Sequence, residues 1–152
     1  MKRKRGAALC MAAAVALALP ACGSNSPTEP SGPKQAEIRI TPSMGILSVS
    51  PLLTYNYRIK IDFTLVESAG VGASINFIRL HFLTRGAEVE RQEIGAAAII
   101  AQAGTNRLGA SATTTLHTSF DFNEGTTDAI NYEMGFTDDK GNALVANGPI
   151  SF

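Results

Sequence analysis

The side chains able to do acid–base or nucleophilic chemistry in this 152-residue chain are few, namely His81, His117, Asp62, Asp121 and Glu133, with serines scattered among them. A hydroxyl, an imidazole and a carboxylate make a nucleophile, a base and an orienting group only if they meet within hydrogen-bond reach. His117 and Asp121 share one face of one alternating segment, but at ~3.3 Å per residue they stand about 13 Å apart. The set therefore reads as solvated surface groups, and no catalytic residue is assigned. Asp138, Asp139 and Asn142 crowd oxygen atoms into one short turn, yet a hard cation wants roughly six or more oxygens and the spacing matches no calcium loop. Asp-Asp-Lys-Gly-Asn is equally good hairpin chemistry. No Cys/His pair has zinc spacing, no glycine-rich loop follows a strand as a phosphate cradle, and Gly70-Val71-Gly72 lacks the helix a dinucleotide needs. The expectation is a protein without metal, cofactor or enzymatic activity.

The two thiols lie at the amino-terminal end. Lys2, Arg3, Lys4 and Arg5 precede an uncharged run, Gly6 to Ala21, rich in Ala, Leu and Val. A basic start holds its end on the cytoplasmic side while the apolar run enters the membrane, as in a secretory signal. The run is shorter than the ~20 residues of a spanning helix, and Pro20 breaks it. Leu19-Pro20-Ala21-Cys22 then resembles the bacterial lipobox, with an aliphatic residue three positions before a cysteine and a small residue directly before it. The resemblance implies lipid transfer to the Cys22 thiol, cleavage before it, and anchorage of the protein to the membrane of the cell envelope, on its periplasmic or cell-surface side. Pro20 departs from the small residue usual at that position. Ala21-Cys22-Gly23 also fits ordinary small-x-small cleavage, which would leave a secreted soluble protein.

Three segments follow from this reading: a signal peptide over 1–21, a lipidated cysteine with a Pro/Ser/Gly-rich tether over 22–35, and a domain over 36–152. Four of the 13 basic residues and none of the 13 acidic ones fall in the leader, so nine basic residues face thirteen acidic ones afterwards, a net −4. With no basic cluster left, binding to nucleic acid is not expected. Cys10 would leave with the leader and Cys22 would carry lipid, so no disulfide is available to the domain. Its stability must come from an apolar core.

From Ala36 onward the hydrophobic period is two. Ile38 and Ile40 begin one short strand, Pro42 to Gly45 suggests a turn, and Leu47 and Val49 a second strand. Tyr55, Tyr57, Ile59, Ile61, Phe63 and Leu65 alternate with polar residues over the longest clean run. A third strand, Ile75 to Leu83, slips phase between Phe77 and Ile78, which predicts a bulge that leaves Phe77 near an edge and turns Arg79 and His81 to water. The charged segment Glu88 to Glu93 suits an edge that must not pair with other chains. Residues 96–103 have helix formers and no alternation, predicting a short helical crossover. Leu116, Phe120 and Phe122, then Ile130, Tyr132, Met134 and Phe136, supply further inward faces, and a turn at Asp138 to Asn142 leads into a last strand, Ala143 to Phe152.

About seven strands without long helices predict an all-β, two-sheet antiparallel sandwich. Asp128-Ala129-Ile130-Asn131-Tyr132-Glu133-Met134 resembles the penultimate strand of immunoglobulin folds, with Tyr132 at the corner-tyrosine position and Met134 where those domains carry cysteine. The resemblance implies an immunoglobulin-like or fibronectin type III-like domain of the kind found on bacterial envelope lipoproteins. Two functions fit: a binding or protein-interaction module with an unknown protein or envelope partner, or a structural spacer or assembly subunit without ligand. Glycan binding is weakened by the absence of Trp and by Tyr55, Tyr57 and Tyr132 falling in phase with the core. The candidate contact surface is Phe77, Arg79, His81, Asn131 and Glu133, an apolar anchor beside mixed charge.

Overall fold

A computed structural model describes Gly32 and residues 35–123 and 127–151. The leader, Cys22 and most of the tether lie outside the described residues. The chain runs β1 (Ile38–Val49), β2 (Tyr57–Glu67), β3 (Ala73–Thr84), β4 (Ala87–Gly95), α1 (Ala96–Ala103), β5 (Arg107–Leu108), β6 (Thr113–Phe122), β7 (Ala129–Asp138) and β8 (Ala143–Ile150). Three strands pair in the order β1-β2-β6, and four in the order β4-β3-β7-β8, with β5 added beside one end of β3. All pairings are antiparallel. The result is a two-sheet sandwich of eight strands.

The period of two explains why these sheets face each other. Ile59, Ile61, Phe63 and Leu65 of β2 are all buried, as are Ile78, Leu80 and Phe82 of β3 and Ile130, Tyr132, Met134 and Phe136 of β7. Rings cross the gap between layers: Phe63 meets Tyr132 edge-on at 5.6 Å, and Phe82 stacks on Phe122 at 4.4 Å. Burial of this single layer is the main favourable term available to a domain without disulfides. The helix forms where predicted and closes with Gly104 in the left-handed conformation, φ 79°, its N–H bonded to Ile100. Ile99 is buried. Gln102 reaches sideways and accepts the Ser119 N–H at 2.7 Å, satisfying a backbone donor of β6.

Several boundaries differ from the sequence reading, each for a local reason. Pro42 to Gly45 is not a turn. β1 continues through it, because Pro42 lies in an edge strand where a missing N–H is tolerated, and the irregularity falls at Met44/Leu47 as a bulge opposite Lys60. The bulge of β3 falls at Asn76, between Ile75 and Phe77, one residue earlier than the phase slip suggested. Phe77 is not near an edge. It lies in the middle of the larger sheet, where its ring occupies the space a Cβ on Gly135 would need, at 2.2 Å. β2 starts at Tyr57 rather than Tyr55, β8 ends at Ile150, and two-residue β5 carries no alternation from which it could have been predicted.

Two buried carboxylates were not singled out for burial by the sequence. Glu67, 2% exposed, accepts backbone N–H groups from Glu37, Ala69, Gly70 and Ser111 at 2.7–3.3 Å. Asp138 accepts from Ala36, Lys140 and Asn142 backbone N–H groups and from the Asn142 amide. Burial alone would raise both pKa values, but the N–H bonds outweigh it and hold both below the ordinary carboxylate range. Folding therefore favours the ionised forms, so their contribution is complete above the unfolded pKa, roughly 4, and is lost as pH falls through the lower folded values.

Truncation of Phe63 to Ala is expected to cost about 3 to 5 kcal/mol, read as a fall in the denaturant midpoint of unfolding. An unmoved midpoint would show that β2 faces the other way. Glu67→Gln is expected to lower stability at pH 7 and to flatten the acid limb of a stability-against-pH curve below roughly pH 4. A limb as steep as wild type would place the titrating group elsewhere.

Candidate functional site

On the outer face of β4-β3-β7-β8, antiparallel register sets Arg79 between Glu93 of β4 and Glu133 of β7. Its guanidinium bonds Glu93 at 2.6 and 2.8 Å and Glu133 at 2.7 Å. The same group lies 4.8 Å over the Phe77 ring, which itself rests on Gly135. His81, two residues along, bonds Glu88 through Nδ1 at 2.6 Å and stands 3.5 Å from Glu133 through Nε2. Arg91 completes the row by bonding Glu88. The bond from His81, followed by those from Arg91, holds the Glu88 carboxyl below its usual pKa despite opposing desolvation.

Four of the five candidate contact residues, Phe77, Arg79, His81 and Glu133, are therefore brought together. Asn131, the fifth, joins His81 and Glu133 in lining a shallow groove of about 470 Å³, with Asn147 and Pro149 of β8 on its other wall. Yet the charges answer one another. Cross-strand pairs of this kind tie strands together, and a ligand would have to displace them. The face is a brace across three strands before it is anything else.

The remaining ionisable candidates sit on the opposite outer face. His117 bonds Asp62 across β6 and β2 at 2.8 Å, with both side chains largely in water. Asp121 instead bonds Arg58 at 2.7 and 2.9 Å and accepts from the Ser50 hydroxyl at 2.6 Å. The Arg58 bond, then that from Ser50, depresses the Asp121 pKa. The two histidines thus belong to different sheets, with the core between them. The Asp138 oxygens are occupied by N–H donors, and Asp139 bonds Arg107. Among the described residues, no group of three His, Cys, Asp or Glu side chains is placed to hold a metal ion. Nor is any described helix long and apolar enough to cross a membrane.

Sequence reasoning passed over the turn between β1 and β2. Leu52 and Leu53 are exposed there, Leu53 completely, and Ile46, Leu47 and Val49 are exposed at the adjoining end of β1. The turn is pinned from both sides. Ser50 N–H bonds Asn56, Tyr55 N–H bonds Leu52, and the Ser50 hydroxyl both accepts the Leu52 N–H and donates to Asp121. This tip is at the far end of β1 from Ala36, which bonds Asp138 at the other end of the sandwich. Leu52-Leu53 between Pro51 and Thr54 was the available signal, since turn residues are seldom paired leucines.

No protein-family model matches the chain, and no curated protein matches it. Among solved structures, the X-ray structure of Northeast Structural Genomics Consortium target SoR45 is similar over 78% of this chain and 87% of that one, at 10% identity and a TM-score of 0.48.

Removing the centre of the charged row, Arg79→Ala, leaves Glu93 and Glu133 facing each other without a cation and bares Phe77. A loss of ~1 kcal/mol in chemical unfolding is expected. His117→Ala, on the exposed pair, should stay within about 0.5 kcal/mol of wild type. Equal losses for the two would show that the row braces nothing.

Proposed function

We propose that this is a non-catalytic lipoprotein of the cell envelope whose β-sandwich serves as a protein-interaction module. The observation that carries the reading is the pinned apolar tip. Leaving large aliphatic side chains in water forgoes about 1.5 to 3 kcal/mol each that burial would provide, and Leu52 and Leu53 on the ordered turn, beside exposed Ile46, Leu47 and Val49 at the end of β1, offer apolar side chains suited to a contact site. The Ser50 hydroxyl, which accepts the Leu52 N–H and donates to the Asp121 carboxylate, holds it in place before any partner arrives, which reduces the ordering cost of binding.

Attachment supports the same reading. The resemblance of Leu19-Pro20-Ala21-Cys22 to a lipobox implies an anchor at Cys22, and the chain enters the sandwich at Ala36, the end away from the tip. A spacer without ligand would have no use for exposed Leu52 and Leu53 on the turn and Ile46, Leu47 and Val49 at the adjoining end of β1. The non-catalytic reading rests on the two histidines lying on opposite outer faces of the sandwich, too far apart to act together.

Two measurements test this. Cys22→Ser in the full-length chain is expected to move the protein from the membrane fraction to the soluble fraction, and an unchanged distribution would overturn the anchor. A photo-crosslinking amino acid at position 53 is expected to give a discrete adduct in intact cells that disappears with Leu52→Ser, while the same probe at position 140, on the opposite end, gives none. Equal adducts from both ends, or none from position 53, would overturn the tip as the contact site.

A further inference from the structure

The four lateral edges of the two sheets are treated differently. β1 carries Pro42 and a bulge between Met44 and Leu47. β6 is flanked by α1, with Gln102 holding the Ser119 N–H. β4 presents Glu88, Glu90, Arg91 and Glu93. Each device discourages another strand from pairing. β8 shares one such device, Pro149, and packs beside β1 of the other sheet, but Ala-Leu-Val-Ala-Asn-Gly before that proline carries no charge, and among the described residues it pairs only with β7 and without a register shift.

Register shows which of its backbone groups point away from β7. The hairpin closes with Asp138 N–H bonded to Asn142 and Gly141 N–H bonded to Asp138, so Asp138 and Asn142 form a hydrogen-bonded pair. Antiparallel ladders alternate. Phe136/Leu144, Met134/Ala146 and Tyr132/Gly148 are then the next bonded pairs, and Ala143, Val145 and Asn147 direct their N–H and C=O groups away from β7. Pro149 falls in the same outward set, where it has no N–H to offer, and limits the open stretch to those three residues. Val145 is 63% exposed.

We propose that β8 is the self-association edge of this protein, pairing antiparallel with β8 of a second copy about a two-fold axis through Val145. In that register Val145 faces Val145 of the other copy, and Ala143 faces Asn147. Every outward N–H and C=O of the three residues finds a partner, and no like charges meet. The larger sheets of the two copies become one continuous sheet. A two-fold contact of this kind needs only one self-complementary surface, and β8 is the described edge that has it.

Single cysteines in the full-length chain, oxidised in intact cells and run without reductant beside the wild-type chain, test both the contact and its register. Facing residues of a bonded antiparallel pair have Cα atoms about 5.5 Å apart, within disulfide reach. Val145→Cys is therefore expected to give a covalent dimer. Two Asn147 residues would stand about 13 Å apart, beyond reach, so Asn147→Cys alone should stay at the wild-type level, as should Arg91→Cys on the charged edge. Co-expressed Ala143→Cys and Asn147→Cys chains should link to each other, an independent reading if the first variant folds poorly. No linkage from Val145→Cys or from the mixed pair would overturn the proposal. Equal linkage from Val145→Cys and Asn147→Cys would replace it with random collision.

Discussion

Two sheets sharing one apolar layer is the constraint on which everything else in this domain rests. No cysteine follows Cys22, so no covalent staple can offset a poorly filled interior. Every inward position of β2, β3, β6 and β7 must then be apolar or have its polar atoms bonded, as Thr118 does by donating to the Ile61 carbonyl. The rings of Phe63, Tyr132, Phe82 and Phe122 span the gap. Outward positions are freed from that demand, and there the chain places its charges, its groove and its histidines.

The ends of the sandwich obey a different rule from its middle. Backbone groups in turns cannot be satisfied by ladder bonds, and when they are buried they need another partner. Glu67 supplies it at one end, binding N–H groups from three separate segments, and Asp138 does the same for the hairpin and for Ala36. At the other end Asp121 and Ser50 fix the aliphatic turn. One end is closed around carboxylates, and the other is held open with its leucines in water.

Much of the middle was legible in the sequence because a period of two leaves no freedom in which face is buried. Ile59 to Leu65, Leu116 to Phe122 and Ile130 to Phe136 face as their alternation predicts, and the charges of β4 marked it as an edge. What was not legible depended on neighbours distant in sequence. Pro42 and Gly45 look like a turn until β2 is seen running beside them, and the place of Phe77 depends on Gly135, whose missing side chain makes room for the ring. A glycine inside a β7-like run was the one local hint of that close approach. Glu67 resembles any strand-terminal glutamate until the loops that surround it are in place. The outward rows carry charged residues visible in the sequence, but their pairing partners came from register, which alternation alone does not fix.

The direction of β1 has a mechanical consequence. A tension applied through the amino-terminal segment enters at Ala36 and runs along the axis of β1, parallel to its neighbour rather than across it. Ladder bonds lie perpendicular to the strands, so such a pull meets the β1–β2 bonds in shear, together, instead of unzipping them one by one. Ala36 is additionally tied to Asp138, and Glu37 to Glu67, so part of the strain passes into the β7–β8 hairpin of the other sheet.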